Sequence, residues 1–156
     1  MKKLLRLRVL GPVLGLILAV IQCFPPARRS GAAAGPQDID HHYAVPADVH
    51  RLLVAACYGC HSNHTGYPWY VRVQPVGWWI AHHVTEGRRQ LNFSEFGAYG
   101  PHQAARKLDS LANQVDEGDM PLRSYTWMHP AARLSAAQRK MIVDWAQELH
   151  DKVAPE

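Results

Sequence analysis

Residues 57–61 read Cys57-Tyr58-Gly59-Cys60-His61. In this Cys-x-x-Cys-His pattern, two thiols on one helical turn can add to the two vinyl groups at one porphyrin edge, and the next residue brings an imidazole to the iron. The pattern therefore predicts one covalently bound haem c, with Cys57 and Cys60 as attachment sites and His61 as the proximal iron ligand. A thioredoxin-like dithiol is a weaker interpretation because no βαβ context surrounds the motif. A zinc site that includes His64 would need adjacent ligands at 60 and 61.

Segments with the 3.6-residue periodicity of amphipathic helices flank this motif. Four helices are expected, and no segment shows a convincing two-residue strand period. They are predicted over Asp48–Tyr58, from near Pro75, over His102–Glu117 and from Ser135. Their apolar faces carry Val49, Leu52, Leu53 and Ala56; Val76, Trp79, Ile80, His83 and Val84; Ala104, Leu108, Leu111 and Val115; and Met141, Ile142, Trp145 and Leu149. The sequence therefore predicts an all-α, cytochrome c-like domain of about four helices around one haem, plus an N-terminal hydrophobic helix.

Two helix starts carry capping signals. Asp48 is placed to cap the first predicted helix, and Gln138 completes a capping box with Ser135 at the start of the fourth. Arg88 and Arg89 lie together in the second predicted helix, where we expect a solvated face.

The net charge of +4 is concentrated at the N-terminus. The first 24 residues contain Lys2, Lys3, Arg6 and Arg8 and no acidic residue, whereas 13 basic and 13 acidic residues follow from residue 25 onward. Because the remaining chain has no basic stripe, a nucleic-acid partner is excluded. Four cations before the apolar run Val9–Ile21 are instead typical of an export signal.

The predicted organisation has three parts. Residues 1–24 form a signal or membrane anchor, residues 25–40 a linker rich in Pro, Gly and Ala, and residues 41–151 the haem-binding domain. A cleaved signal and a retained anchor both remain open, and the anchor is slightly favoured. In either case the positive-inside rule places the domain on the periplasmic side of a bacterial inner membrane, tethered to it or released into the periplasm.

The sixth iron position has several candidate ligands. Met120 is best placed, because it follows the third predicted helix in Glu117-Gly118-Asp119-Met120-Pro121 and the following proline fixes the loop. Met128 is the next thioether candidate, and Met141 is expected in the core of the last helix. The histidines that position does not dismiss are His82, His83, His102 and His129.

The chain resembles the haem-binding domain proteins of bacteria, a family of small monohaem c-type cytochromes with an N-terminal hydrophobic segment. The similarity extends from Ile21 to Leu149. It implies covalent haem at Cys57 and Cys60, proximal ligation by His61 and distal ligation by Met120. The motifs that carry it are CYGCHSN (57–63), YPWY (67–70), QPVGW (74–78), HVTEGRRQLNFS (83–94), EGDMPLRSY (117–125) and His129-Pro130.

A tethered or periplasmic cytochrome that passes single electrons between redox partner proteins is the leading functional hypothesis, and it needs no catalytic residue. A haem-based gas sensor and a peroxidase-like enzyme with an open distal site are the alternatives. The three differ in whether the sixth iron position is filled. Seven aromatic residues are expected to line the porphyrin: Tyr67, Trp69, Tyr70, Trp78, Trp79, Tyr125 and Trp127.

Overall fold

The computed structural model describes residues 2–28, 30–31 and 35–155, with side chains described from residue 10 onward. In these ranges the chain forms α-helices and short 3-10 helices and contains no strand, which confirms the all-α prediction. The α-helices are α1 (Lys2–Ile21), α2 (Ile39–His42), α3 (Ala47–Ala56), α4 (Tyr58–His61), α5 (Val76–Gln90), α6 (Pro101–Asp116), α7 (Arg123–Met128) and α8 (Ala136–Val153). The 3-10 helices are Trp69–Arg72, Phe93–Ala98 and Pro130–Ala132.

The larger of two compact units comprises the described residues of 30–66 and 84–156. Its core lies mainly between α6 and α8, and α3 packs against both α4 and α8. The four apolar positions expected on α6 are all buried, as are Ile142, Trp145 and Leu149 on α8. The capping box of Ser135 and Gln138 is formed as predicted. The periodicity of these two helices therefore identified the core of this unit.

Three expectations for the helices were wrong in detail. Asp48 does not cap α3, because the helix begins one residue earlier and Pro46 takes the N-cap position. Met141 is 40% exposed on α8 rather than in the core. On α5, Val84 is buried, whereas Trp79 is 48% exposed. A period of 3.6 residues identifies a shared helix face, but it does not say how much of that face a partner covers.

The segment 25–40, expected to be a linker, ends inside the larger unit. Asp38 and Ile39 are 2% and 0% exposed, and the Asp38 side chain accepts a hydrogen bond from the Asp40 amide at the start of α2. The packed part of the chain therefore begins before residue 41. Residues 29 and 32–34 of this segment lie outside the described ranges.

The second compact unit comprises the described residues of 1–29 together with 67–83. Gln22, just after α1, is hydrogen bonded to Gln74 in both directions: its Oε1 accepts from the Gln74 amide at 2.8 Å and its Nε2 donates to the Gln74 carbonyl at 3.2 Å. The Trp78 indole donates to the carbonyl of Phe24 at 2.7 Å. The predicted N-terminal helix is present as α1. None of the helices described here has both the length and the apolar character needed to cross a lipid bilayer.

Candidate haem-binding site

The Cys-x-x-Cys-His motif forms a single helical turn directly after α3. Cys57 closes α3 by donating its amide to the Leu53 carbonyl at 2.8 Å, and its own carbonyl accepts from Cys60 and His61 at 3.1 and 2.9 Å. Both cysteines are free thiols. The three residues predicted to bind haem are therefore carried by one turn. Such a turn can present both thiols to one porphyrin edge and the imidazole to the iron.

The imidazole of His61 has a defined tautomer. Its Nδ1 lies 3.0 Å from the carbonyl oxygen of Leu91, and because a carbonyl can only accept, Nδ1 carries the proton. The lone pair is then on Nε2, the arrangement that a histidine needs to ligate iron. Burial lowers the pKa of His61, and backbone hydrogen bonds to Leu91 and Gly87 oppose that shift. The neutral, ligating form of the ring is therefore favoured.

The two thiols are held protonated. Burial raises the pKa of Cys57 to about 12, with a smaller contribution from the neighbouring Cys60. Burial also raises the pKa of Cys60, and the positive charge of Arg88 opposes that shift. A reactive dithiol requires the ionised form. Within the described residues, no cluster of three or more His, Cys, Asp or Glu side chains could hold a metal ion. The donor set fits haem attachment better than either alternative.

The chain that follows His61 is fixed by α5. Arg88 donates from Nε to the Ser62 carbonyl and from a terminal nitrogen to the Thr65 hydroxyl, both at 2.8 Å. The Ser62 hydroxyl in turn donates to the Tyr58 carbonyl at 2.7 Å. The expectation of a solvated face is therefore wrong for Arg88. It holds for Arg89, which is exposed and pairs with Glu86.

A network of polar side chains joins the sequence motifs 57–63 and 83–94. The Asn92 side chain donates to Asn63 Oδ1 at 3.0 Å and accepts from the Ser94 amide at 3.1 Å. The Ser94 hydroxyl accepts from the Asn63 amide at 3.1 Å. Asn92 and Ser94 are buried, so these bonds satisfy groups that would otherwise be costly to remove from water. Residues 92 and 94 of the motif 83–94 thus hold the end of the motif 57–63 in place.

Two glycines mark close approaches to this turn. A Cβ on Gly59 would lie 2.9 Å from the hydroxyl of Tyr125, and a Cβ on Gly87 would lie 3.0 Å from the carbonyl oxygen of Cys60. The turn is therefore bounded by Tyr125 of α7 at one glycine and by α5 at the other, with no room for a side chain at either contact.

Residues 16–148 match the haem-binding domain family. The chain belongs to this family. The match confirms the resemblance seen in the motifs and establishes haem binding. Comparisons with curated proteins and with solved structures give no match.

In this haem-binding domain, Met120 lies just beyond a tight turn after α6. Gly118 adopts a left-handed φ of 78°, and the backbone amide of Met120 donates a hydrogen bond of 3.0 Å to the Gln114 carbonyl. Met120 packs against the same core cluster as Cys57, whereas Met128 and Met141 are 49% and 40% exposed. Burial favours Met120 among these three thioethers, and its role as distal ligand stays a prediction.

The remaining candidate ligands and aromatic residues differ in exposure and in their local contacts. His82 and His102 are exposed, His83 bonds through Nδ1 to the Trp79 carbonyl at 2.8 Å, and His129 stacks on Tyr125 with ring centroids 4.2 Å apart. Trp69 and Trp127 are 75% and 76% exposed. That the seven aromatic residues line the porphyrin stays a prediction.

A cavity of about 470 Å³ lies beside Tyr58 and Gly59, the two central residues of the motif. The sequence does not predict this cavity, because the residues that line it come from distant parts of the chain. The Tyr58 ring stacks on Phe93 at 5.1 Å, and its buried hydroxyl has no hydrogen-bond partner among the described residues. Polar residues that line the cavity are Asp38, Asp40, His50, His64, Tyr125 and His129.

Proposed function

We propose that this protein is an exported c-type cytochrome that binds one haem covalently and transfers single electrons between redox partner proteins. The observation that carries the proposal is the pairing of His61 Nδ1 with the Leu91 carbonyl within a Cys-x-x-Cys-His turn. It leaves Nε2 available as an iron ligand and holds the ring in one orientation. A histidine merely packed in a core would not require two thiols on the same turn.

Each residue of the site has a distinct task. Cys57 and Cys60 hold the porphyrin edge through thioether bonds, in which each thiol proton moves to a vinyl carbon as the C–S bond forms. His61 is the proximal ligand. Met120 is the distal ligand, supported by its partly buried position against the core cluster.

Haem, when bound, supplies a one-electron Fe(III)/Fe(II) couple, and His/Met ligation raises its reduction potential relative to His/His ligation. With both axial positions filled by His61 and Met120, no site is left for a substrate at the metal. The protein is accordingly a carrier rather than an enzyme. A gas sensor or a peroxidase would need a distal position that opens.

Export is part of the proposal. The cations at residues 2, 3, 6 and 8 precede the uncharged stretch 9–24, and this order supports an N-terminus on the cytoplasmic side with the domain in the periplasm. The N-terminal segment would hold the domain at the inner membrane or be removed after export. Covalent attachment also fits this location, because a free Cys pair there would tend to oxidise.

The test begins with haem staining of the exported chain on a denaturing gel. We expect staining in the unaltered protein, its loss in the Cys57→Ala/Cys60→Ala double variant, and its retention in Cys23→Ala, whose thiol is exposed and outside the motif. Staining that survives the double substitution would refute covalent attachment. The electronic spectrum then tests the carrier role: a low-spin spectrum in both oxidation states supports it, and a high-spin spectrum would favour a sensor or an enzyme.

A further inference from the structure

The two compact units differ sharply in charge. The sequence of 1–29 and 67–83 contains seven basic residues and no Asp or Glu, whereas the rest of the chain contains ten basic and thirteen acidic residues. The formal excess of +4 thus comes entirely from the smaller unit. A surface with cations and no acidic residue is attracted to a polyanion or an anionic membrane. The seven basic residues are Lys2, Lys3, Arg6, Arg8, Arg28, Arg29 and Arg72.

The same unit exposes tryptophan. Trp69, Trp79 and Trp78 are 75%, 48% and 38% exposed, and Val73 and Val76 lie exposed between them in sequence. Such a group of large apolar side chains is costly to leave in water and marks an interaction surface. Tryptophan combines an apolar ring with an N–H donor, and it is enriched where a bilayer meets water.

Hydrogen bonds tie this aromatic segment to the chain that leaves α1. The Trp78 indole binds the Phe24 carbonyl, and Gln22 and Gln74 bond in both directions. The described apolar side chains of α1, from Leu10 to Val20, are also exposed. Within this unit, hydrogen bonds therefore join the segment that carries the tryptophans to the chain that follows the apolar helix.

We propose that residues 67–79 form a docking surface for an anionic phospholipid bilayer, separate from any attachment made by α1 itself. Trp69 and Trp79 would enter the headgroup region, and Arg72 and Arg28, both exposed, would pair with lipid phosphates. The combination favours lipid over a nucleic acid, because the same unit also exposes large apolar side chains that a water-exposed phosphate backbone would not cover. This inference does not rest on electron transfer.

The experiment uses the full-length, haem-loaded chain with vesicles of phosphatidylglycerol and phosphatidylcholine, and with vesicles of phosphatidylcholine alone. Amide hydrogen exchange reports each segment separately, so attachment through α1 does not mask the result. We expect the anionic vesicles to slow exchange in 67–79. We also expect Trp69→Ala/Trp79→Ala to remove most of this slowing, because apolar burial at the interface is lost.

Matched controls come from the larger unit. Trp127 is as exposed as Trp69, so Trp127→Ala should leave binding unchanged. Arg72→Glu should weaken binding, whereas Arg106→Glu should not. Unaltered exchange in 67–79, or equal slowing of exchange in the Trp69→Ala/Trp79→Ala variant, would overturn the proposal and leave α1 as the sole attachment. Equal binding to phosphatidylcholine alone would overturn the anionic preference. Each variant keeps Cys57 and Cys60 and should still carry covalent haem on a denaturing gel, which separates this result from a failure of the cytochrome assignment.

Discussion

His61 and Leu91 are joined by a hydrogen bond of 3.0 Å between the imidazole Nδ1 and a backbone carbonyl. Leu91 is the first residue after α5 and is buried, so the end of this helix sets the tautomer and orientation of the His61 ring. The same helix lies close to the turn 57–61 at Gly87, and its Arg88 donates a hydrogen bond to the carbonyl of Ser62 just after that turn. Thus α5 fixes the position of the turn 57–61 at several points along its length.

Gly87→Ala should weaken this contact. The added Cβ would lie 3.0 Å from the Cys60 carbonyl oxygen and 3.3 Å from the Cys60 Cβ, so α5 must move away. We expect a net loss of about 1 kcal/mol in the free energy of unfolding, since overpacking outweighs the better helix propensity of alanine. Urea denaturation of the haem-loaded protein measures this loss in the free energy of unfolding. Gly66→Ala, which meets nothing within 4 Å, is the control, and equal midpoints for the two variants would contradict the prediction.

Arg88 and Arg89 offer a matched pair. Arg88→Met removes donors to the Ser62 carbonyl and the Thr65 hydroxyl, both of them buried residues, and should cost about 1–3 kcal/mol in unfolding free energy. Arg89→Met removes an exposed pair with Glu86 and should leave the denaturation midpoint unchanged. The same unfolding experiment compares them. Similar midpoints for both variants would show that the Arg88 contacts contribute no stability.

The difference between these two arginines shows where prediction from sequence stops. Helical periodicity predicted the buried faces of α6 and α8, because the two helices pack against each other and the apolar pattern repeats along each of them. The spacing of Cys57, Cys60 and His61 identified the candidate site, because the chemistry of attachment dictates that spacing. Adjacent arginines on one helix carry no such signal, and only the packed structure shows which one reaches Ser62.

Tertiary contacts explain the other structural features that could not be predicted from the sequence. Asp38 and Ile39 follow a stretch rich in Pro, Gly and Ala, and nothing local to that stretch indicates that they are buried. The carbonyl partner of His61 lies 30 residues away and is a backbone group, so no side-chain pattern could reveal it. The exposure of Trp79 on an apparently apolar face likewise depends on what covers that face.

Gly59 and Tyr125 should be energetically coupled. Gly59→Ala places a Cβ 2.9 Å from the Tyr125 hydroxyl, whereas the next nearest ring atom is 3.5 Å away. The single substitution should destabilise the haem-loaded protein by about 1–2 kcal/mol through overpacking. In a Tyr125→Phe background that cost should largely disappear, since the clashing oxygen is gone. A double-mutant cycle from urea denaturation measures the coupling, and simple additivity would show that α7 does not pack on the turn as described.

Met120→Ala tests the distal ligand. If Met120 binds the iron, the oxidised protein should show a charge-transfer band from the Met–iron bond, and the substitution should remove it. Met128→Ala and Met141→Ala are the controls, because these side chains are exposed and should leave the band in place. Met120→His should instead give His/His ligation and lower the reduction potential. A band that persists in Met120→Ala and vanishes in Met128→Ala would reassign the ligand to α7. A native protein with no such band would exclude a methionine ligand altogether.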